Sequence, residues 1–532
     1  MDTPPRRAPE VQGCIGQALN VWPRQQRCRG LHSGLPPKAP SMLFRNIAET
    51  LPINARRRPD HPAIVCGERT IDYAGLARRV GQTAGLLAEM GVSQGDIVGV
   101  ALKDSPEHLI AMLAIAHRGA VILPMDCRWA PPEKNSLADW FAPVLVLVEA
   151  GSDTIGSHRT VELDAAWESR VAATNPNAAE MARDDDMGLL LSLSSGTTGR
   201  PKGPMLTHRL LQNRFIQHWS VLGFHEQDRH LVSTPLYFGG GRVFALSHLF
   251  IGATVVLLPL PYTPEELIST VANHDISTMF IVPTMLRRLL GLPASDRPLL
   301  AGPRYVISGG SALHQSERAA ALQRISPRLV NYYSSSEGGA VSILLPSHHG
   351  AAADSVGRPV FMTEVEVVDA SDTNVASGEI GLVRYRGPGV PSALYRDPEE
   401  SRAMFRDGWF YPGDLGRIDA DGFLYLTGRA RDMIIRGGVN IYPQDVESTI
   451  LKAPGVEDVA VVGWPSAAFG EEVAAFVVAR DGANATAILA HCRAALASYK
   501  VPREVFFVDA LPKNSSGKVL KKELVSRLVR IG

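Results

Sequence analysis

From about residue 60 onward, short apolar β-like runs alternate with stretches of helical periodicity, and this alternation restricts the chain to parallel sheets covered by helices. Ala63 to Cys66 is followed by a helix near Tyr73 to Met90, by Ile97 to Leu102, by a helix near Pro106 to His117 and by Val121 to Pro124. The pattern resumes with a helix near Leu206 to Trp219 and apolar runs at Ala253 to Leu258, Thr278 to Val282, Tyr305 to Ile307 and Leu329 to Tyr332. Between about residues 360 and 427 it gives way to shorter strands and to the turns Gly387-Pro388-Gly389, Asp407-Gly408 and Asp421-Gly422, which reads as a β-rich subdomain. Past Gly428 a smaller α/β unit begins, with strands near Val459 to Val462 and Val473 to Val478 and a helix near Ala485 to Ala497. A length of 532 residues suggests about three or four units. The fold class is therefore α/β: doubly wound sheets in a large domain over 42–428, the β-rich subdomain within it, and a small α/β domain over 429–532.

Residues 192 to 203 read Ser-Leu-Ser-Ser-Gly-Thr-Thr-Gly-Arg-Pro-Lys-Gly and directly follow the apolar run Met187 to Leu191. Gly196 and Gly199 allow successive N–H groups to converge on an anion, Ser194, Ser195, Thr197 and Thr198 add hydroxyl donors, and Lys202 adds charge. That is a phosphate loop, and a triphosphate is its natural guest. The spacing Gly-x-x-Gly-x-x-Lys differs from the P-loop NTPase pattern, so a kinase or GTPase does not follow. A polar linker is the plainer reading of the same residues.

Equal numbers of basic and acidic residues, 54 each, remove any bias toward nucleic acid or anionic membrane, which leaves small molecules as partners. The longest apolar run, Leu249 to Leu260, is too short to span a bilayer and reads as a buried strand, so no integral membrane segment is expected. Cys14, Cys28, Cys66, Cys127 and Cys492 are scattered and odd in number, which argues against a disulfide framework and for a reducing, cytoplasmic setting. The first 41 residues carry Arg6, Arg7, Arg24, Arg27, Arg29 and Lys38 against Asp2 and Glu10, but seven prolines interrupt the amphipathic helix of a mitochondrial presequence. They read as a disordered extension, with a start at Met42 as the alternative.

Further segments extend the pattern: Tyr333-Ser-Ser-Ser-Glu337, Gly408-Trp-Phe-Tyr-Pro-Gly-Asp414, Gly428-Arg429 through Gly437-Gly438-Val-Asn-Ile-Tyr-Pro443, and Pro512-Lys-Asn-Ser-Ser-Gly517-Lys518. In this order and spacing the chain resembles the adenylate-forming superfamily of acyl-CoA synthetases, nonribosomal peptide adenylation domains and firefly-type luciferases, from roughly residue 45 to the end. The resemblance implies ATP, Mg²⁺ and CoA as cofactors, and a carboxylate attacking the α-phosphorus of ATP, where two anions must meet and cationic or N–H groups must offset their repulsion. It implies that Glu337 holds Mg²⁺, that Ser336 donates to the α-phosphate and that Asp414 accepts from the ribose hydroxyls. Arg429 would reach ribose or phosphate, and Gly310, Ser311 and Tyr333 would border adenine, where Tyr332 is a second aromatic candidate. Lys518 would ride on a mobile small domain, enter for adenylation and withdraw as the domain turns about Arg431, presenting Gly437 and Gly438 to the pantetheine thiol. Without the resemblance, Glu337 reads as a surface carboxylate, Asp414 as a turn residue, Arg429 as a solvated arginine, and Lys518 as part of a basic helix with Lys521 and Lys522.

Phe238 stands where many acyl-CoA synthetases carry histidine, and no aspartate is placed to pair with an amino-acid amine. The acyl pocket is assigned to Phe238, Gly239, Gly240 and Gly338, small and apolar, as suits an uncharged fatty or aryl acid. Phe280, Val282 and Met285 read either as pocket or as core. The Asn440-Ile-Tyr-Pro443 ending resembles stand-alone acid–CoA ligases, so free CoA is the expected acceptor. The alternatives are a carrier protein as acceptor, or a nucleotide-binding homologue without activity, for which Ser334, Pro412 and Pro204 depart from the usual residues.

Overall fold

The computed structural model describes residues 44–193, 202–313, 315–350, 352–466, 469–480, 483–513 and 518–529. The leader, with Met42, and Ser194, Ser195, Gly196, Thr197, Thr198 and Gly199 of the phosphate loop lie outside the described residues. Residues 43–532 form one compact unit carrying four sheets.

The largest sheet has nine strands, with parallel Arg229–Val232, Thr254–Leu257, Thr278–Ile281, Tyr305–Gly309 and Leu329–Ser335 at its centre and antiparallel Gly339–Leu344 toward one edge. A second sheet of six strands is parallel through Leu145–Glu149, Ile97–Ala101, Val121–Pro124 and Gly188–Leu191. Helices Tyr73–Glu89 and Pro106–His117 pack between the two sheets, in a core that joins Ile64 and Val255 of one to Val98 and Leu145 of the other. Strands covered on both faces must be apolar at every position, and Ile97–Ala101 is buried throughout.

Local chemistry sets the element ends. Asp72 accepts from Gly75 N, and Ser105, with Pro106 at the first helical position, accepts from His108 N. The helix expected from Leu206 begins instead at His208, because Thr207 caps it and Met205–Thr207 pairs as a strand with Gly188–Leu191. The run Leu249 to Leu260, expected to be one buried strand, is split. It finishes helix Gly239–Ile251, turns at Gly252 with φ of 91°, and only then supplies strand Thr254–Leu257. Among the described residues no helix is long and apolar enough to cross a membrane.

The β-rich sheet spans Glu364–Val368 to Leu424–Arg429. After the short turn Ala430–Asp432 comes a five-stranded sheet whose long hairpin, Val456–Ser466 with Gly470–Ala479, buries both faces by strict alternation. Val459, Val461, Val473 and Ala475 face helices Pro443–Ile450 and Ala485–Ala495, while Ala460, Val462, Ala474 and Phe476 face helix Lys521–Val529. Two described loops of the large sheet leave the carboxyl ends of their strands, 310–313 after Tyr305–Gly309 and 336–338 after Leu329–Ser335, and Ser192 and Leu193 follow the carboxyl end of Gly188–Leu191 in the second sheet. That end of an open α/β sheet is where ligands bind.

Candidate active site

Hairpin register places the first pair of site residues. The turn Asp419 to Gly422, where the Asp419 carboxylate accepts from Asp421 N and Phe423 N, joins strands Asp414–Ile418 and Leu424–Arg429. Asp414 and Arg429 are then direct cross-strand partners, and Arg429 Nε lies 3.0 Å from Asp414 Oδ1. The other carboxylate oxygen of Asp414 accepts from the Tyr333 hydroxyl, so strand Leu329–Ser335 of the large sheet is tied to the β-rich sheet at this carboxylate. Burial, with the Asp414 carboxylate alongside, holds the Tyr333 phenol well above its ordinary range. Arg429 is held above the usual guanidinium value: burial works against its charge, and Asp414 and other neighbouring groups outweigh it.

Tyr332 is the neighbour of Tyr333 on an extended strand and so faces the other way, into an apolar cluster. Of the two tyrosines expected near adenine, Tyr333 is the one that lies with Asp414 and Arg429. Gly310 turns the chain with φ of 94°, a conformation that favours glycine, and Ser311 beside it is half-buried.

The turn 336–338 carries the next group. Gly338 N donates to Ser335 Oγ at 2.7 Å, and the Glu337 carbonyl accepts from Arg214 Nη2 at 2.7 Å. Ser336 is exposed and the Glu337 carboxylate belongs to a half-buried residue. The backbone of Ser336 also accepts from Ser192 Oγ at 2.7 Å, which brings the entry of the phosphate loop to the Glu337 turn. The loop returns at the same place: Ser192 N donates to Pro204 O at 3.0 Å, and a Cβ on Gly203 would stand 1.9 Å from the Ser192 carbonyl oxygen. Lys202, in the return arm, lies 3.1 Å from Glu400 and 3.4 Å from Asp397, at the start of helix Pro398–Met404.

Lys518 comes from the far end of the chain into this group. Burial, followed by Arg429 and Arg431, pushes its ammonium down to about 8, against the upward pull of Asp414 and Asp432. Lys518, Arg429 and Arg431 are thus gathered in a partly desolvated place with Asp414 and Asp432, and Glu337 also acts on Arg429, so an incoming anion finds several cationic groups at hand. Glu337 offers a single hard oxygen donor beside the entry of the phosphate loop. This fits Mg²⁺, which takes few protein ligands and shares the rest of its shell with phosphates and water.

The remaining expected residues are placed as follows. Gly239 has open space where a side chain would be, whereas a Cβ on Gly240 would stand 2.4 Å from the Phe280 ring and one on Gly338 only 2.1 Å from the Tyr385 hydroxyl. The room left by Gly338 is thus filled by protein. Phe238 caps helix Gly239–Ile251 next to Tyr237, with ring centroids 4.4 Å apart. Met285 packs in a core cluster with Leu286 and Leu289, away from Phe280. Gly437 and Gly438, with φ of 58° and 84°, form the two-residue turn between Ile434–Arg436 and Val439–Ile441, and both are exposed. Arg431 lies 3.6 Å from Asp432 in the turn between the last two sheets.

Sequence reasoning missed Arg214, buried at 5% exposure on helix His208–Leu222, where it holds the Glu337 and Gly389 carbonyls. Its signal is an arginine three residues after Leu211 and one before Phe215, on the buried face of the helix. Tyr385 and the acidic partners of Lys202 were missed too.

Comparison with known proteins gives a concordant result. The model of the family described as AMP-binding enzyme matches residues 51–395, and that of the AMP-binding enzyme C-terminal domain matches 445–518. A feruloyl-CoA synthase from Amycolatopsis is 34% identical over 89% of this chain and 97% of its own length. An indoleacetate–CoA ligase from Aromatoleum aromaticum is 32% identical over 90% and 98%. The crystal structure of ATP-bound MatB from Rhodopseudomonas palustris superposes with a TM-score of 0.84 at 28% identity, covering 92% of this chain and all of that one.

Proposed function

The chain belongs to the AMP-binding enzyme family, and from that membership we propose that it is an ATP-dependent, AMP-forming acid–CoA ligase acting on a hydrophobic fatty or aryl acid. The observation that carries the reading is the meeting of Asp414, Arg429, Tyr333 and Lys518, four residues from three distant stretches of sequence, at one place. The feruloyl and indoleacetate names of two relatives lean toward an aryl acid.

In the first half-reaction a carboxylate oxygen of the acid bonds to the α-phosphorus of ATP as the bond to pyrophosphate breaks. Asp414 accepts from the ribose hydroxyls and so fixes the α-phosphate, and Arg429 and Ser336 donate to ribose and phosphate. Residues 194–199 cradle the β- and γ-phosphates, with Lys202 exchanging part of its pairing with Asp397 and Glu400 for phosphate oxygen. Gly310 and Ser311 border adenine. Lys518 stabilises the charge on the reacting carboxylate and phosphate. Glu337 would hold Mg²⁺, which would supply charge neutralisation for the pyrophosphate leaving group. In the second half-reaction the thiol of CoA loses its proton and bonds to the acyl carbon, and AMP leaves. Rotation about Arg431 withdraws Lys518 and brings Gly437 and Gly438 to the thiol's path. Phe238, Gly239 and Gly240 hold the acyl group, with Gly338 contributing backbone.

The test is pyrophosphate release with ATP and Mg²⁺ across fatty, aryl and short-chain acids, with and without CoA. Acid-dependent release that yields acyl-CoA when CoA is present is the expected result. A stalled acyl-adenylate that CoA does not discharge points to a carrier protein as acceptor, and no release with any acid overturns the reading.

A pH dependence follows from Lys518. It acts as a cation, and its folded value lies near about 8, so the protonated fraction of the free enzyme falls as pH rises through that point. The kcat/KM for ATP in acyl-AMP formation is expected to decline above about pH 8, because kcat/KM reports groups of the free enzyme. Thioester formation from supplied acyl-AMP should lack that descending limb. A flat adenylation profile to pH 10 counts against the role.

A further inference from the structure

Four side chains from four separate elements pack together, and one of them, Phe280, stands against Gly240. Phe244 comes from helix Gly239–Ile251, Phe280 from strand Thr278–Ile281, Tyr332 from strand Leu329–Ser335 and His218 from helix His208–Leu222. Their exposures are 0%, 5%, 7% and 1%. Phe244 sits at the centre, stacked on His218 at 4.5 Å between centroids and on Phe280 at 5.3 Å, and edge-on to Tyr332 at 5.6 Å. The Tyr332 hydroxyl lies 3.0 Å from His218 Nε2, which fixes the far end of that ring. A second layer stands behind the first: His230 stacks on Phe244 at 5.8 Å and on His248 at 4.3 Å, and both histidines meet the Thr278 hydroxyl, at 3.0 and 3.2 Å.

This cluster touches the proposed acyl site directly. The Phe280 ring occupies the place a Gly240 side chain would take, and it also lies 3.3 Å from where a Cβ on Gly309 would stand, under the 310–313 loop. Ala340, two residues beyond Gly338, belongs to the same cluster.

We propose that this aromatic wall is the floor of the acyl pocket, that Phe244 sets its depth, and that the enzyme therefore selects compact aryl or short-chain acids over long-chain fatty acids. The proposal rests on the ligase reading above. A long alkyl chain can advance only by displacing rings mounted on two helices and two strands, and a packed interior resists the insertion of even one methylene. A flat aryl acid instead meets ring faces and edges that favour offset or edge-on contact. The stop is built from regular elements rather than from a loop, so it does not swing aside to admit a longer chain.

The test is kcat/KM for CoA-thioester formation on acetate, butyrate, benzoate, cinnamate, decanoate and palmitate, for the full chain and for Phe244→Ala and Phe280→Leu, with circular dichroism and ATP binding confirming that each variant is folded. For the natural chain, the compact acids should exceed palmitate by roughly a hundredfold or more, since successive methylenes are each excluded. In Phe244→Ala the ratio of decanoate to benzoate should rise by roughly tenfold or more. Phe280→Leu, a milder change should the first variant fail to fold, should shift the same ratio in the same direction. Palmitate used as well as the compact acids by the natural chain, or folded variants whose size limit stays where it was, overturns the wall and leaves the ligase reading intact. Absence of acid-dependent pyrophosphate release with every acid overturns both.

Discussion

Lys518→Ala is expected to lose acyl-AMP formation by at least about a hundredfold to a thousandfold, the range for removing one preorganised donor from a developing charge, while thioester formation from synthetic acyl-AMP stays within a few-fold of normal. The asymmetry is the point. A lysine that serves only packing, or that binds nucleotide in both half-reactions, would lower the two together. The surroundings argue for the split: Lys518 sits with Arg429 and Arg431 against Asp414 and Asp432, and burial already disfavours its charge before any substrate arrives. An ammonium held in that state has more to gain from an incoming triphosphate and carboxylate than one in water, so its stabilising effect is concentrated where anionic charge is greatest. The same electrostatics predict that the variant folds at least as well as the natural chain. Because the folded value lies below the unfolded one, the ammonium costs stability at pH below about 8, and the cost fades as pH rises toward the unfolded value. Pyrophosphate release, thioester formation from supplied acyl-AMP and thermal unfolding on one preparation check all three statements. Equal loss in both half-reactions contradicts the assignment.

The elements whose apolar period matches a single structure were legible from sequence. Pro106–His117 and Val121–Pro124 lie where the pattern puts them, because the first has Ser105 and Pro106 to start it and the second is apolar at every position. The run Leu249 to Leu260 was misread because an apolar stretch carries no sign of where a helix gives way to a strand. Gly252 is that sign. Among the site residues, the pairing of Asp414 with Arg429 is partly local, since Asp421-Gly422 sets a hairpin that makes them partners. Contacts between residues far apart in sequence left no such trace. Nothing near Lys202 announces Asp397 and Glu400, and nothing near Gly338 announces that Tyr385 fills the room it leaves. The aromatic wall is of this second kind: Phe244, Phe280, Tyr332 and His218 are ordinary apolar or helical residues until four elements bring their rings together.

Asp414→Asn is expected to lower kcat/KM for ATP by roughly a hundredfold or more, on the basis that hydrogen bonds to a charged group contribute about 1.5–3 kcal/mol each and the carboxylate is assigned two ribose hydroxyls. The substitution keeps size and shape, so the loss comes from charge and acceptor capacity. An amide has one carbonyl oxygen where the carboxylate has two, and in the resting site those two are already divided between Arg429 at 3.0 Å and the Tyr333 hydroxyl. Asparagine can satisfy only one of the two donors as an acceptor, which leaves either the guanidinium or the buried phenol short of a partner, and some loss of thermal stability should accompany the loss of activity. A ribose-specific readout separates nucleotide recognition from this structural effect. With the natural chain, 2′-deoxy-ATP and 3′-deoxy-ATP should each be poorer substrates than ATP. With Asp414→Asn the three nucleotides should become nearly equal, because the group that distinguishes them has been weakened. A variant that is slower overall yet discriminates against the deoxynucleotides as strongly as before would remove Asp414 from ribose recognition and leave it the task of holding Tyr333 and Arg429 in place.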